Sequence, residues 1–390
     1  MTGSLCQTML PGPFPVTGRC AGSSEHSCEK RSTLHRMALL KTRVVILAIV
    51  LACCASWAEA GPTCPVGVPI VTLAPHQAGG FSWGNVIRPM GDACIARIAV
   101  EPANDSAWYA GGANGLYMTK NAGATWTHPL PGQLNALLLV PGQPLLVYAG
   151  IGQQVFLSRD QGKNWTAIRM FTEPVESLLV VNGKLYVGLG WHTHLQLSGI
   201  WTSNLGGGLP QFTPFGPGQT GLIVWSLAHD PLSGAIYAGT EIFDHPQPYK
   251  PPFFRSMNGG VSWVNTAGVL PSHVVASAVR PNDGFLYALT ETPGLFGSPD
   301  KGMTWQWPQN LVNLGISLLM DPKMTTRLFA GRQKSNPPLD GGIFVSIDAG
   351  KIFKPVGLPG VTVGGLATNG AATKLYAATY GSGIYISPIP

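Results

Sequence analysis

From about residue 80 to the C-terminus, short apolar runs alternate with polar or glycine-rich turns. Seven of these runs look alike: IARIAVEP, NALLLVPG, ESLLVVNG, VWSLAHDP, ASAVRPND, ISLLMDP and VGGLATNG. After each comes a pair of segments in which aromatic, β-branched and small residues alternate, usually around a Gly-rich turn, which is a hairpin signal. WYAGGANGLYMT, VYAGIGQQVFLS and LYAATYGSGIYIS are three of the seven pairs. A Ser or Thr at or beside the end of each pair falls at 119, 158, 202, 256, 298, 346 and 387, giving intervals of 39, 44, 54, 42, 48 and 41 residues. A unit of three or four short strands repeated seven times predicts an all-β fold, a single seven-bladed β-propeller, because radial repetition leaves only short, protected edges. The seventh unit stops after its third strand. The segment from Phe81 to about Arg88 is expected to supply the missing outer strand, since Gly79-Gly80-Phe81-Ser82-Trp83 matches Gly259-Gly260-Val261-Ser262-Trp263.

A turn motif follows the marked Ser or Thr. It reads Ser158-x-Asp160-x-Gly162-x-Asn164-Trp165 and Ser298-x-Asp300-x-Gly302-x-Thr304-Trp305. Asn121 with Gly123 and Trp126, and Asn258 with Gly260 and Trp263, give Asn variants; Asp348 with Gly350 and Phe353 gives a Phe variant. The copy at Thr202 is degenerate. In such a turn Asp or Asn accepts hydrogen bonds from turn amides, Gly takes a conformation closed to other residues, and Trp covers the turn. These residues are therefore expected to be scaffold, since Asn can replace Asp as an acceptor but not as a catalytic acid.

Composition agrees with a turn-rich β protein. Gly and Pro make up about 22% of the 390 residues, against roughly 12% in average usage, while charged residues are only 11%. Residues 44–56 are uncharged and apolar or small, with Lys41 and Arg43 before them and Ala58-Glu59-Ala60 after them. That order is expected of a secretory signal over residues 37–60 cleaved after Ala60, with 1–36 a leader or over-extended start, 61–79 an N-terminal arm and 80–390 the propeller. The alternatives are a retained anchor, or a lipoprotein acylated at Cys53 or Cys54. Without residues 1–60 the net charge falls from +6 to +3 and is scattered, which does not imply nucleic-acid binding. Membrane association is expected only through the anchor or lipid. Cys64 and Cys94 remain as a candidate disulfide for an oxidising compartment.

The turn motif, recurring at this spacing, resembles the Asp-box or bacterial neuraminidase repeat family over about residues 80–388. Three kinds of relative share it. Sialidases resemble the chain in their boxes but use six blades and three Arg, and their Arg-Ile-Pro segment is matched only weakly by Val86-Ile87-Arg88-Pro89. Xyloglucanase-type glycosidases are similar in their seven-bladed propellers, but need two propellers and a carboxylate pair. The single-propeller photosystem II assembly and stability factor family, with related exported proteins, matches best in layout. That resemblance implies a non-catalytic role in binding a protein or glycan partner, as a monomer and without cofactor or metal; a glycoside hydrolase is the alternative.

Function in such a fold is expected in loops. Two insertions, residues 191–198 and 243–252, supply the candidate binding residues Trp191, His192, His194, Asp244, His245, Tyr249 and, at the edge of the second, Phe253. Asp230 and Glu241 stand near them in sequence. His192 and His194 alone lack a third metal ligand, so no metal site is expected.

Overall fold

The computed structural model describes residues 76–390 apart from 85, 143–144, 191–198, 206–210, 216–220, 243–252, 269, 292–293, 307–314 and 335–339. Seven antiparallel sheets follow one another along the chain, over residues 95–131, 134–170, 175–214, 222–265, 274–298, 315–357 and 362–388. We number them blades 1 to 7. In each, strands pair in chain order, first with second and second with third. The first strand of every blade touches the first strand of the next, and that of blade 7 touches that of blade 1, so the ring is complete. Among the described residues five blades have four strands and blades 5 and 7 have three, and a bridge between Gly297 and Gln306 marks the fourth position of blade 5.

Both faces of each blade are covered by a neighbour, so the cores lie between blades. The second strand of each blade carries one large aromatic facing such an interface: Tyr109, Tyr148, Tyr186, Tyr237, Tyr287, Phe329 and Tyr376, all at most 2% exposed. Their seats are built by the following blade. A Cβ on Gly162, Gly260 or Gly350 would lie 3.0, 3.0 or 3.1 Å from the rings of Tyr109, Tyr186 and Tyr287. The Tyr186 and Tyr287 hydroxyls donate to the carbonyls of Gly259 (3.1 Å) and Ala349 (3.0 Å) in the same turns.

The turns themselves follow one hydrogen-bond plan. The Ser158 hydroxyl donates to Asp160 Oδ1 (2.8 Å) and accepts from the Gly162 amide (2.7 Å), while Asp160 Oδ1 also accepts from the Asn164 amide (2.9 Å). Blades 1, 4, 5 and 6 repeat it around Asn121, Asn258, Asp300 and Asp348. The glycine sits at φ between 80° and 86°, and the residue before it at 55–66°, even where that residue is Ala122, Gln161, Lys301 or Ala349. Trp263 and Phe353 are buried. Trp126, Trp165 and Trp305 are half-buried, so these rings cover their turns only in part.

Beside blade 7 a hairpin of His76–Ala78 and Phe81–Trp83 carries the left-handed pair Gly79 and Gly80. The Gly84 amide donates to the Ile386 carbonyl (3.1 Å), and Ile87 and Ile384 exchange two backbone hydrogen bonds of 2.8 and 2.7 Å. Trp83, 1% exposed, donates its indole N–H to the Val356 carbonyl (2.7 Å).

Candidate functional site

An antiparallel blade has two ends. Turns between strands one and two, and the box turns between three and four, lie at one, here the turn end; links between blades and between strands two and three lie at the other, the mouth end. The innermost strand has the same irregularity near its mouth-end start in all seven blades. Register slips by one residue between 95 and 97, 134 and 136, 175 and 177, 224 and 226, 274 and 276, 315 and 317, and 363 and 365. Such a bulge re-aims the side chain that occupies it. In blades 2, 3 and 4 the occupants are Asn135, Glu176 and Trp225.

Two polar clusters form there. In the first, Arg97 Nε donates to the Asn135 carbonyl (2.7 Å) and Asn135 Nδ2 donates to Glu176 Oε1 (3.2 Å), linking blades 1, 2 and 3. Tyr380 of blade 7 completes it, seated against Gly364. Glu176 is 6% exposed, and its Oε2 and the Asn135 Oδ1 have no hydrogen-bond partner among the described residues. Burial pushes the Glu176 carboxyl up to about 7, against the pull of Arg97. Burial also pushes the Tyr380 hydroxyl up to about 12, although Arg97 favours its ionisation.

The second cluster joins blades 4 and 5. His273, in the link between them, lies with Nε2 2.8 Å from Glu291 Oε2 and Nδ1 3.8 Å from Glu241 Oε1. The Trp225 indole N–H donates to Glu241 Oε2 (2.5 Å). Burial works against the charged imidazole, yet the Glu291 hydrogen bond and the charges of Glu241 and Glu291 outweigh it and raise His273. Burial raises Glu241 despite His273 and Trp225. For Glu291 burial is outweighed by the hydrogen bond and charge of His273, which hold it low. Carboxyl groups thus stand on blades 3, 4 and 5. The cations Arg97 and Arg332 stand on blades 1 and 6, the latter over the Phe344 ring at 4.9 Å. Among the described residues no group of His, Cys, Asp and Glu is arranged to hold a metal.

The candidate residues read from the sequence separate. Trp191, His192, His194, Asp244, His245 and Tyr249 lie outside the described residues, but the strands that flank them end at the mouth end. Phe253 is a correction: it opens the third strand of blade 4, fully buried, with its ring stacked on Tyr237 at 6.0 Å and edge-on to Trp305 at 5.4 Å. It is core, not a loop contact. Asp230 belongs to the turn end, where it accepts from the Leu232 amide (2.9 Å) and the Ser233 hydroxyl, while Glu241 is at the mouth. Cys94 is disulfide-bonded, with its partner outside the described residues. Arg97, Asn135, Glu176, Trp225, His273, Glu291 and Tyr380 were not singled out. The available signal was a charge, Arg97 or Glu176, at the start of an otherwise apolar inner strand.

Fold and ring together define a seven-bladed β-propeller. No protein-family profile and no curated protein sequence matches the chain. Solved structures do. YCF48 bound to a D1 peptide is 14% identical, with a TM-score of 0.56 over 83% of this chain and all of the other. An ancestral GH74 enzyme is 15% identical, with a TM-score of 0.59 over 82% of this chain but only 46% of the enzyme. At such identity the likeness is one of fold.

Proposed function

We propose that the chain is an exported, non-catalytic propeller that binds a segment of a partner protein at its mouth end. One observation carries this reading: the two half-exposed carboxylates, Glu241 and Glu291, are both held by His273, and Glu241 by Trp225 as well. Two carboxylates that share one imidazole are poorly arranged as the separate acid and base of glycoside hydrolysis, whereas fixed carboxylates on the same end as Arg97 and Arg332 are suited to recognition. The strands that flank the insertions at 191–198 and 243–252 end at the same end, where loops carry function in such folds. A neighbour that binds a peptide on this fold supports the reading. The structural turns are Asp boxes, the hairpin over 76–83, with Gly84 and Ile87 after it, clasps the ring to the last blade, and Cys94 pairs with Cys64 after a signal over 37–60 is removed.

The test is selection of displayed peptides on the purified chain, repeated with Glu241→Gln/His273→Ala. Selected peptides should lose binding to that variant and also to a chain lacking residues 243–252, which should still fold. Turnover of sialosides or β-glucans that disappears in Glu176→Gln would replace this reading with the hydrolase.

A further inference from the structure

The turn end, remote from the mouth, has a composition of its own. Among the described residues, seven of the eleven large apolar side chains left exposed lie there, all on blades 4, 5 and 6. Met257, Val261, Met303, Ile347 and Ile352 stand in the box turns of those blades, with Val261 70%, Ile347 68% and Met303 64% exposed. Leu232 and Met324 stand in the turns between first and second strands. The equivalent box positions of blades 1 and 2 hold Lys120, Ala124, Arg159 and Lys163 instead.

Charge on this arc leans positive without being one-sided. Asp283 is paired with Arg280 (2.6 Å) and Asp321 with Arg327 (2.7 Å), while Asp300 is held by the Thr304 amide and hydroxyl (2.8 and 2.6 Å), Asp348 by the Ile352 amide (3.0 Å) and Asp230 by the Leu232 amide (2.9 Å), neutral donors that leave the charge of these three in place. Lys301, Lys323 and Lys351, in the same turns as the apolar tips, have no acidic partner among the described residues. We propose that the turn end of blades 4–6 is a docking face for an anionic lipid surface, with the aliphatic tips entering the headgroup layer and the lysines meeting its charge.

Shape and chemistry select that occupant. The tips belong to separate turns, three box turns and two turns between first and second strands, so they suit a deformable plane. Protein interfaces favour aromatic residues, Met and Arg at their centres and are poor in Lys; Met is present here, but exposed aromatic residues are not. This arc exposes no large aromatic, and its arginines are occupied, Arg255 by the Lys301 carbonyl (2.9 Å) and the others by the aspartates above. Lysine stems lie along apolar surface with the ammonium in the polar layer, and each gains from an anionic leaflet. A second copy of the chain would set lysine against lysine.

Vesicle co-sedimentation of the full chain tests this. Apolar residues 44–56 are common to all variants, so the readout is the ratio of partitioning between phosphatidylcholine vesicles with and without 30% phosphatidylglycerol. The wild-type ratio should be at least about tenfold, should fall with salt, and should drop towards one in Met303→Glu/Ile347→Glu and in Lys301→Glu/Lys351→Glu. Met257→Ser/Val261→Ser is the milder substitute if an acidic variant fails to fold, and its ratio should fall in part. A wild-type ratio near one, or one unchanged in both acidic variants, overturns the proposal. So does self-association without vesicles that the same substitutions abolish, which would make the arc a dimer face.

Discussion

Glu176→Gln is expected to stabilise the folded chain above neutral pH and to remove one component of its pH dependence. Glu176 Oε2 and Asn135 Oδ1 are both buried acceptors without a donor among the described residues, while Asn135 Nδ2 already donates to Glu176 Oε1. A proton on Glu176, or the amide of Gln, provides the donor that lets the two side chains pair through both arms. In the folded state burial raises this carboxyl from 4.5 to about 7, so between those values the folded chain keeps a proton the unfolded chain has lost. Stability therefore falls as pH rises through that window and levels off above it. At about 1.4 kcal/mol per pH unit of displacement, the full penalty is about 3 kcal/mol, most of which develops between pH 5 and pH 8. Urea unfolding of both proteins at several pH values measures it, with His273, Arg97 and Tyr380 common to the two curves. The wild type should lose roughly 2–3 kcal/mol relative to Glu176→Gln over that range. Parallel curves, or a variant less stable than wild type at pH 8, would refute the reasoning.

Other outcomes follow from burial and backbone. Trp263→Ala should cost about 3–5 kcal/mol in denaturant unfolding, and Trp165→Ala, whose ring is half-buried, about 2 kcal/mol; equal losses would contradict the burial difference. Ala349→Gly should raise stability by about 0.5–1 kcal/mol, because it relieves a left-handed residue at φ 62° while losing some unfolded-chain restriction. Trp83→Ala should cost about 3–5 kcal/mol and expose the amides of Gly84 and Ile87 to hydrogen exchange; protection that persists would separate this ring from the pairing with blade 7.

The repeat was legible because each box residue acts within eight positions of its neighbours. Ser158, Asp160 and Gly162 make their turn without help from the rest of the chain, so their spacing carries the structure. The blade count followed from the same spacing. Phe253 was misread because strands covered on both faces lose the period-two alternation: Phe253 and Phe254 are consecutive and both buried, and beside a polar insertion that pair looks like a loop edge. The mouth was hidden for a different reason. Arg97 and Glu176 are far apart in sequence and approach only because three consecutive bulges present their strands to one opening, and His273 sits in a link with no pattern.

The aromatic seats give the ring a direction in time. Each second-strand aromatic rests on residues of the blade that follows it in the chain, so a blade leaving a ribosomal or secretory channel shows an uncovered ring until the next has emerged. At synthesis rates of 5–20 residues per second and intervals of 39–54 residues, that wait is roughly 2–10 s per blade. The last aromatic, Tyr376, has no later blade. It must find the oldest one, where its ring meets Trp108 at 5.3 Å and its hydroxyl donates to the Asp105 carbonyl (3.4 Å). Until then blade 1 keeps an open flank, and an escorting chaperone would find its binding surface at both ends of the nascent chain.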